Sequence, residues 1–290
     1  MKHRLEYAAV QAVRGLVSVL PMPAVRAIGG AIGRLAYVAD PTHRRIALAN
    51  LAAAFPGRPE AEHRALARAM FGHFGSLLLE LLKFGSYSAA QMLAAVDIEG
   101  EERVMHAEQE GRGILFFTGH FGYWEVQAIV HALRGYPTSV LARPLDNPLL
   151  HQMLEGIRTR TGAKVIYRQG AVRRMLRELA SNHAIAMLID QHLHSDAITV
   201  DFFQRPAATT SALAALALRT GAAVIPVFAL PLPHGRYRLI FEHPIEPPAA
   251  EDPDPVRTLT QRCTDVLEMY VRRHPEQWLW MHRRWREDDK

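Results

Sequence analysis

The chain has 290 residues, of which 49% are hydrophobic and 22% charged, with one cysteine and a formal net charge of +5. Such usage excludes disordered and collagen-like classes and leaves enough chain for a sizeable core. The lone Cys263 excludes an internal disulfide and a thiolate metal cluster. The basic balance points to an anionic partner: nucleic acid, phospholipid head groups and phosphorylated small molecules all fit.

The start, MKHRLEYAAVQAVRGLVSVLPMP, is basic and then apolar, as a secretory leader would be. Arg14 interrupts the apolar stretch and the small-residue cleavage pattern is poor, which argues against a leader. No window holds 18 uninterrupted apolar residues, so no clean membrane span is expected. The spacing instead predicts an amphipathic helix with Leu5, Ala9, Ala12, Val13, Leu16, Val17 and Leu20 on one face. That face packs on the rest of the protein or lies in a membrane surface with the basic residues toward head groups.

Pro21 and Pro23 open a second helix running to about Val38, with Gly29, Gly30 and Gly33 permitting close approach of a neighbour. Pro41 and Thr42 open a third, stopped at Phe55-Pro56-Gly57. Leu66, Met70, Phe74, Leu77 and Leu81 fall at spacings of three and four and mark one face of a long fourth helix. Residues 1–40 are read as amphipathic, membrane-associating helices, and 41–290 as an α/β domain that includes the helical stretch 41–110.

From residue 111 short apolar runs alternate with helix-length pieces: GILFFT, TSVLA, AKVIY, AIAMLI, ITVDFF, AAVIPVF and RYRLIF. The first four predict crossover units and a largely parallel sheet flanked by helices, while the alternating ITVDFF belongs nearer an edge. The Pro-rich, acidic EHPIEPPAAEDPDP is a long loop leading to a final helix from about Pro255 to His274.

LFFTGHFGYWE (115–125) places His120 in the turn after a buried strand and Glu125 in the first turns of a helix. Gly119 and Gly122 allow the tight backbone, so the two side chains are expected to meet. A carboxylate on one imidazole nitrogen would leave the other as general base. No G-x-S-x-G is present and Cys263 lies in an amphipathic helix, so a substrate hydroxyl, rather than a protein nucleophile, is the group to activate. A strand-end histidine that merely satisfies backbone groups is the competing reading.

Five ordered blocks, TGHFGYWE, ARPLDNP (142–148), IRTRTG (157–162), MLIDQ (187–191) and VDFFQRPA (200–207), resemble the bacterial lipid A biosynthesis acyltransferases, within the wider lysophospholipid acyltransferase superfamily. RRIALANLAAAFP (44–56) and PEQWLWMHRRW (275–285) extend the resemblance over nearly the whole chain. It implies a glycerolipid-acyltransferase-like α/β fold and transfer of a fatty acyl chain to a hydroxyl of a lipid or glycolipid, without cofactor, metal or covalent acyl-enzyme. The implied donor is acyl carrier protein, with acyl-CoA open. The implied location is the cytoplasmic face of the bacterial inner membrane, held peripherally. Carried over, His120 is the base and Glu125 its orienting partner. Arg158 and, second, Arg143 would bind phosphate or stabilise developing charge, and Asp190 would sit at a strand's carboxyl end. Tyr123 and Gln204 depart from the family pattern and are expected to alter the acceptor pocket.

Two other readings stand beside this one. His192, His194 and Asp196 form His-x-His-x-Asp after a strand, a spacing that could hold zinc in a hydrolase. A non-catalytic lipid-binding protein would explain the N-terminal helix and the charge but would leave His120 and Glu125 idle. No nucleic-acid-binding module is recognisable, so nucleic acid is not expected as a partner.

Overall fold

The computed structural model describes residues 1–167, 170–192 and 197–285. Four helices come first: α1 (Lys2–Val19), α2 (Met22–Ala39), α3 (Pro41–Ala54) and α4 (Glu60–Phe84). Proline at the start of α2 and α3 fixes φ where no N–H partner is needed, and the Asp40 side chain accepts from the His43 N–H to cap α3. The short α5 (Ala89–Ala94) opens on a reciprocal cap between Ser88 and Gln91.

The remainder is β1 (Val96–Glu99), α6 (Glu101–Gln109), β2 (Ile114–Thr118), α7 (Glu125–Leu133), β3 (Thr138–Ala142), α8 (Pro148–Thr159), β4 (Lys164–Tyr167), α9 (Ala171–Ala180), β5 (Ala184–Leu188), β6 (Ala197–Phe202), β7 (Arg205–Thr210), α10 (Ala212–Thr220), β8 (Ala223–Pro231), β9 (Tyr237–Phe241) and α11 (Pro255–Arg273). Seven strands form one sheet in the order β1-β9-β8-β2-β5-β3-β4, parallel throughout except for the β8–β9 pair. All five residues of β2 are buried, which is why its run is continuously apolar instead of alternating. ITVDFF does not join this sheet. It forms a separate antiparallel hairpin, β6–β7, packed on α11.

That hairpin turns at Phe203 and Gln204, both with φ near +57° (56° and 58°). Positive φ at both central residues is the geometry of the two-residue turn that matches strand twist. Gln204 is exposed there, so its departure from the family pattern falls at the turn of this hairpin. Tyr123 likewise lies in the core, fully buried against Phe84 and Tyr237.

α4 is long and apolar enough to cross a membrane by length and composition, with 44% of that window buried. It packs against α1, α2 and α3. Its contact with α2 is backbone to backbone: a Cβ on Gly29 would lie 2.6 Å from the Gly75 carbonyl oxygen, and one on Gly33 would overlap the Phe71 carbonyl. Only glycine permits that approach.

Of the two orientations open to α1, its apolar face takes the outward one. Of the predicted apolar face only Val17 is buried, while Leu5 and Leu16 are 64% and 59% exposed, with Val19 beside them at 79%. Its polar residues Tyr7, Gln11 and Arg14 face the protein. α2 repeats the pattern, with Ile32, Leu35 and Val38 pointing outward.

Candidate active site

β2 and β5 are parallel neighbours in register from Ile114↔Ala184 to Thr118↔Leu188, so the residues just beyond them, His120 and Asp190, come together at the carboxyl end of the sheet's central strands. The carboxyl ends of parallel strands are where open α/β sheets place ligands. The turn carrying His120 is held on two sides. Tyr123 N–H donates to the Ala229 carbonyl of β8 (2.8 Å). On the other side Gly122 N–H donates to the Gln277 carbonyl (3.0 Å) and Leu279 N–H to the His120 carbonyl (3.1 Å). Phe121 pairs with Trp278 as an isolated bridge. Gly122 has φ +57° and a Cβ there would overlap the Ala229 carbonyl, so the turn requires glycine.

Asp190 accepts three hydrogen bonds. His120 donates its backbone N–H to Oδ2 (2.6 Å) and its Nδ1–H to Oδ1 (2.8 Å), and the Trp278 indole donates to Oδ2 (2.8 Å). Gly119 is required beside them, since a Cβ would lie 2.8 Å from Asp190 Oδ2. Burial opposes charge on His120, but the Asp190 charge and hydrogen bond, with Glu125 beyond, outweigh it and raise its pKa above the ordinary 6.5. Burial likewise opposes the Asp190 carboxylate, yet His120 and the donors around it bring its pKa down to about 2. The pair therefore holds a proton on Nδ1 and turns Nε2 toward Gln191, whose amide nitrogen is 3.4 Å away. The Trp124 ring packs edge-on against the imidazole, 5.3 Å between centroids.

The expectation that Glu125 bonds His120 is corrected by this arrangement. Residues 122–124 form a turn and Glu125 is the first residue of α7, directed at α8. There Arg158 grips it with both edges, Nε to Oε2 at 2.8 Å and Nη2 to Oε1 at 2.5 Å, while the Trp124 indole donates to Oε1 at 3.2 Å. Both side chains of this pair are largely buried. Glu125 thus acts on His120 only through its charge. Arg143 lies apart, in the exposed loop after β3, with neither a hydrogen bond nor an ion pair among the described residues.

The C-terminal segment supplies partners that the sequence reading had not assigned. Trp278 completes Asp190, and His282 accepts from the His192 backbone N–H at 3.3 Å. Asn50 of α3 donates to the carbonyls of Trp280 (2.7 Å) and His282 (2.8 Å), tying this segment to the helical layer. The buried Arg284 donates to the Ala208 carbonyl at 2.6 Å and to Thr209, fixing it to β7. The quoted PEQWLWMHRRW block was the available signal, but nothing local in it indicates a partner ninety residues away. Of the alternative metal set, His194 and Asp196 lie outside the described residues. Among the described residues no group of three His, Cys, Asp or Glu is placed to hold a metal.

The family model for bacterial lipid A biosynthesis acyltransferases matches residues 2–287. The lipid A biosynthesis lauroyltransferase of Escherichia coli (strain K12) is 27% identical over 275 residues, 93% of this chain and 88% of that protein. The lipid A biosynthesis myristoyltransferase of the same organism is 25% identical over 257 residues, 86% and 77% of the two chains. A phosphatidylinositol mannoside acyltransferase of Mycolicibacterium smegmatis (strain ATCC 700084 / mc(2)155) is 22% identical over 234 residues, 79% and 75%. An α/β fold with a strand-end histidine and these relatives define an acyltransferase. The chain belongs to the bacterial lipid A biosynthesis acyltransferase family.

Proposed function

We propose that the protein moves a fatty acyl chain from acyl carrier protein to a hydroxyl of a phosphorylated glycolipid of the lipid A type, with His120 as general base and Asp190 as the carboxylate that orients it. One observation carries the assignment of the base. The Nδ1–H of His120 is donated to a buried carboxylate, which leaves the Nε2 lone pair as the proton acceptor. In the reaction Nε2 takes the acceptor hydroxyl's proton as the oxygen attacks the thioester carbon. The C–S bond then breaks and the leaving thiolate recovers that proton from the imidazolium. Arg158, positioned by Glu125, offers its remaining N–H groups to the oxyanion, and Arg143 offers its charge to the acceptor's phosphate.

The outward apolar faces of α1 and α2 support a peripheral seat on a membrane, with the cytoplasmic face of the inner membrane as its location. The basic balance supports anionic lipid and an acidic carrier as partners. The mannoside acyltransferase among the relatives has a differently named acceptor, so the head group is what an experiment must identify.

The test is transfer of labelled acyl groups from acyl carrier protein or acyl-CoA into a total lipid extract, with mass spectrometry of the labelled lipid. Wild type, His120→Ala, Asp190→Asn and Glu125→Ala are run together. Label entering a glycolipid only with a functional His120 is the expected result. Transfer undiminished in His120→Ala would remove the general base, and a phospholipid or mannoside product would replace the acceptor.

A further inference from the structure

α1 is anchored to the body of the protein at both ends, with Val10 packed between them on the cluster that includes Leu79, Leu82 and Met153. Near its start the Asn147 side chain donates to the His3 carbonyl (3.0 Å) and Glu6 (2.8 Å). Near its end Lys83 donates to the Ser18 carbonyl (2.6 Å) and Val17 is buried. Between these anchors a groove of about 410 Å³ separates α1 from α8, with the end of α4 as its floor.

If the groove served packing alone, apolar side chains would fill it, and they are available on the same helix. Instead α1 presents Tyr7, Gln11 and Arg14, and beside the apolar Leu149, Met153 and Ile157 the facing wall carries Gln152 and Gly156 of α8 and Arg160 at its C-cap. Gln11 donates to the Tyr7 hydroxyl at 2.5 Å. Arg160 is held in place by donating to the carbonyls of Gly85 and Tyr87, both at 2.6 Å, and keeps further N–H groups to spare. Arg14 makes no hydrogen bond or ion pair among the described residues, and Gly156 leaves open space where any other residue would place a side chain. Two guanidinium groups with spare donors, two amides and a phenol line a volume suited to one tetrahedral oxyanion with its ester substituent.

The groove is distinct from the acyl-transfer site. Gly156 and Arg158 are about 200° apart around α8, so the helix that grips Glu125 on one side lines the groove on another. It lies directly behind the outward apolar face of Leu5, Leu16 and Val19.

We propose that this groove is a second binding site, for the phosphate of an amphiphile or phosphate ester, with Arg14 and Arg160 as its cationic ligands. The lipid form of the proposal rests on the interfacial reading of α1; the phosphate chemistry does not.

The experiment measures binding of the full chain to phosphatidylcholine vesicles, to the same vesicles containing phosphatidylglycerol, and to soluble sn-glycerol 3-phosphate. Wild type is compared with Arg14→Gln, Gly156→Asp and Arg4→Gln. Arg4 is exposed on the same helix, so its variant removes the same charge away from the groove. Arg4→Gln is expected to weaken binding to anionic vesicles about fivefold through diffuse charge alone. Arg14→Gln should cost roughly a further tenfold through loss of a charge-assisted hydrogen bond, and Gly156→Asp should do the same by repulsion.

Glycerol phosphate binding that Arg14→Gln abolishes and Arg4→Gln spares supports the site with a soluble ester as its source. The same contrast seen only on vesicles supports a lipid head group. Equal losses in Arg14→Gln and Arg4→Gln, or no binding of either phosphate probe by wild type, overturn the site. Failure to bind phosphatidylcholine vesicles while glycerol phosphate still binds removes only the interfacial reading.

Discussion

Asp190 receives both the backbone N–H and the ring Nδ1–H of His120, at 2.6 and 2.8 Å, so one carboxylate sets the histidine's main chain and its tautomer together. An asparagine there would keep the size but offer an N–H where Nδ1–H now points. Asp190→Asn is predicted to lower kcat by about 10² to 10⁴ with little change in KM. Glu125→Gln keeps His120 in place and should cost less. Steady-state kinetics on the two variants side by side checks the order.

The same pair fixes the pH response. Because its pKa is raised above 6.5, His120 is protonated until the pH exceeds that value, and the acidic limb of the rate profile should fall above 6.5. Asp190→Asn removes the raising charge and should bring whatever limb remains to lower pH. For stability, His120 contributes fully below 6.5 and that share is lost as pH rises through its folded pKa. Asp190 contributes above 3.8 and its share is lost as pH falls toward about 2. Rate and denaturation profiles against pH test both halves.

Glu125 and Arg158 form a largely buried two-point ion pair. Removing one partner strands the other's charge, so Arg158→Ala should destabilise by about 3–5 kcal/mol. Glu125→Gln combined with Arg158→Met should recover much of that loss while remaining inactive. Urea unfolding of the single and double variants separates the structural share from the catalytic one.

At the crossing of α2 and α4 an added methyl has nowhere to go, since a Cβ on Gly33 would meet the Phe71 carbonyl. Gly33→Ala should force the helices apart and cost about 1–3 kcal/mol, as overpacking does. Gly156→Ala, in open space on α8, should instead stabilise by about 0.5–1 kcal/mol from helix propensity. Thermal melts of the two variants should move in opposite directions.

Gln204 holds φ at 58°, which costs a side-chain-bearing residue and not a glycine. Gln204→Gly is predicted to stabilise by about 1 kcal/mol with activity unchanged. A loss of activity in that variant would return residue 204 to the acceptor pocket.

The parallel sheet and the four leading helices were legible because continuous apolar runs, proline starts and period-3.6 faces are local signals. β1 and β7 were missed. VDIE and RPAATT are too short and too weakly apolar to declare themselves, and each becomes a strand only by pairing with a partner far along the chain or across a turn. At the site, the turn that presents His120 was readable from Gly119 and Gly122, and Glu125 does start the next helix. Which carboxylate reaches the imidazole was not readable. Sequence spacing favoured the neighbour five residues on, whereas the β2–β5 register delivers Asp190 from seventy residues on. The inside-out polarity of α1 was also hidden, since a periodic apolar face does not say which way it turns.

The bridge between Phe121 and Trp278 gives the site a place in time as well as in space. The histidine turn is synthesised before half the chain is made, but its carboxylate arrives with residue 190 and the indole that steadies that carboxylate with residue 278. Until the 277–284 segment has been translated and laid between α3, β7 and the turn, the imidazole lacks its full set of supports. A ribosome stalled before that segment would leave a chain with its four leading helices and most of its sheet encoded, yet without an assembled base.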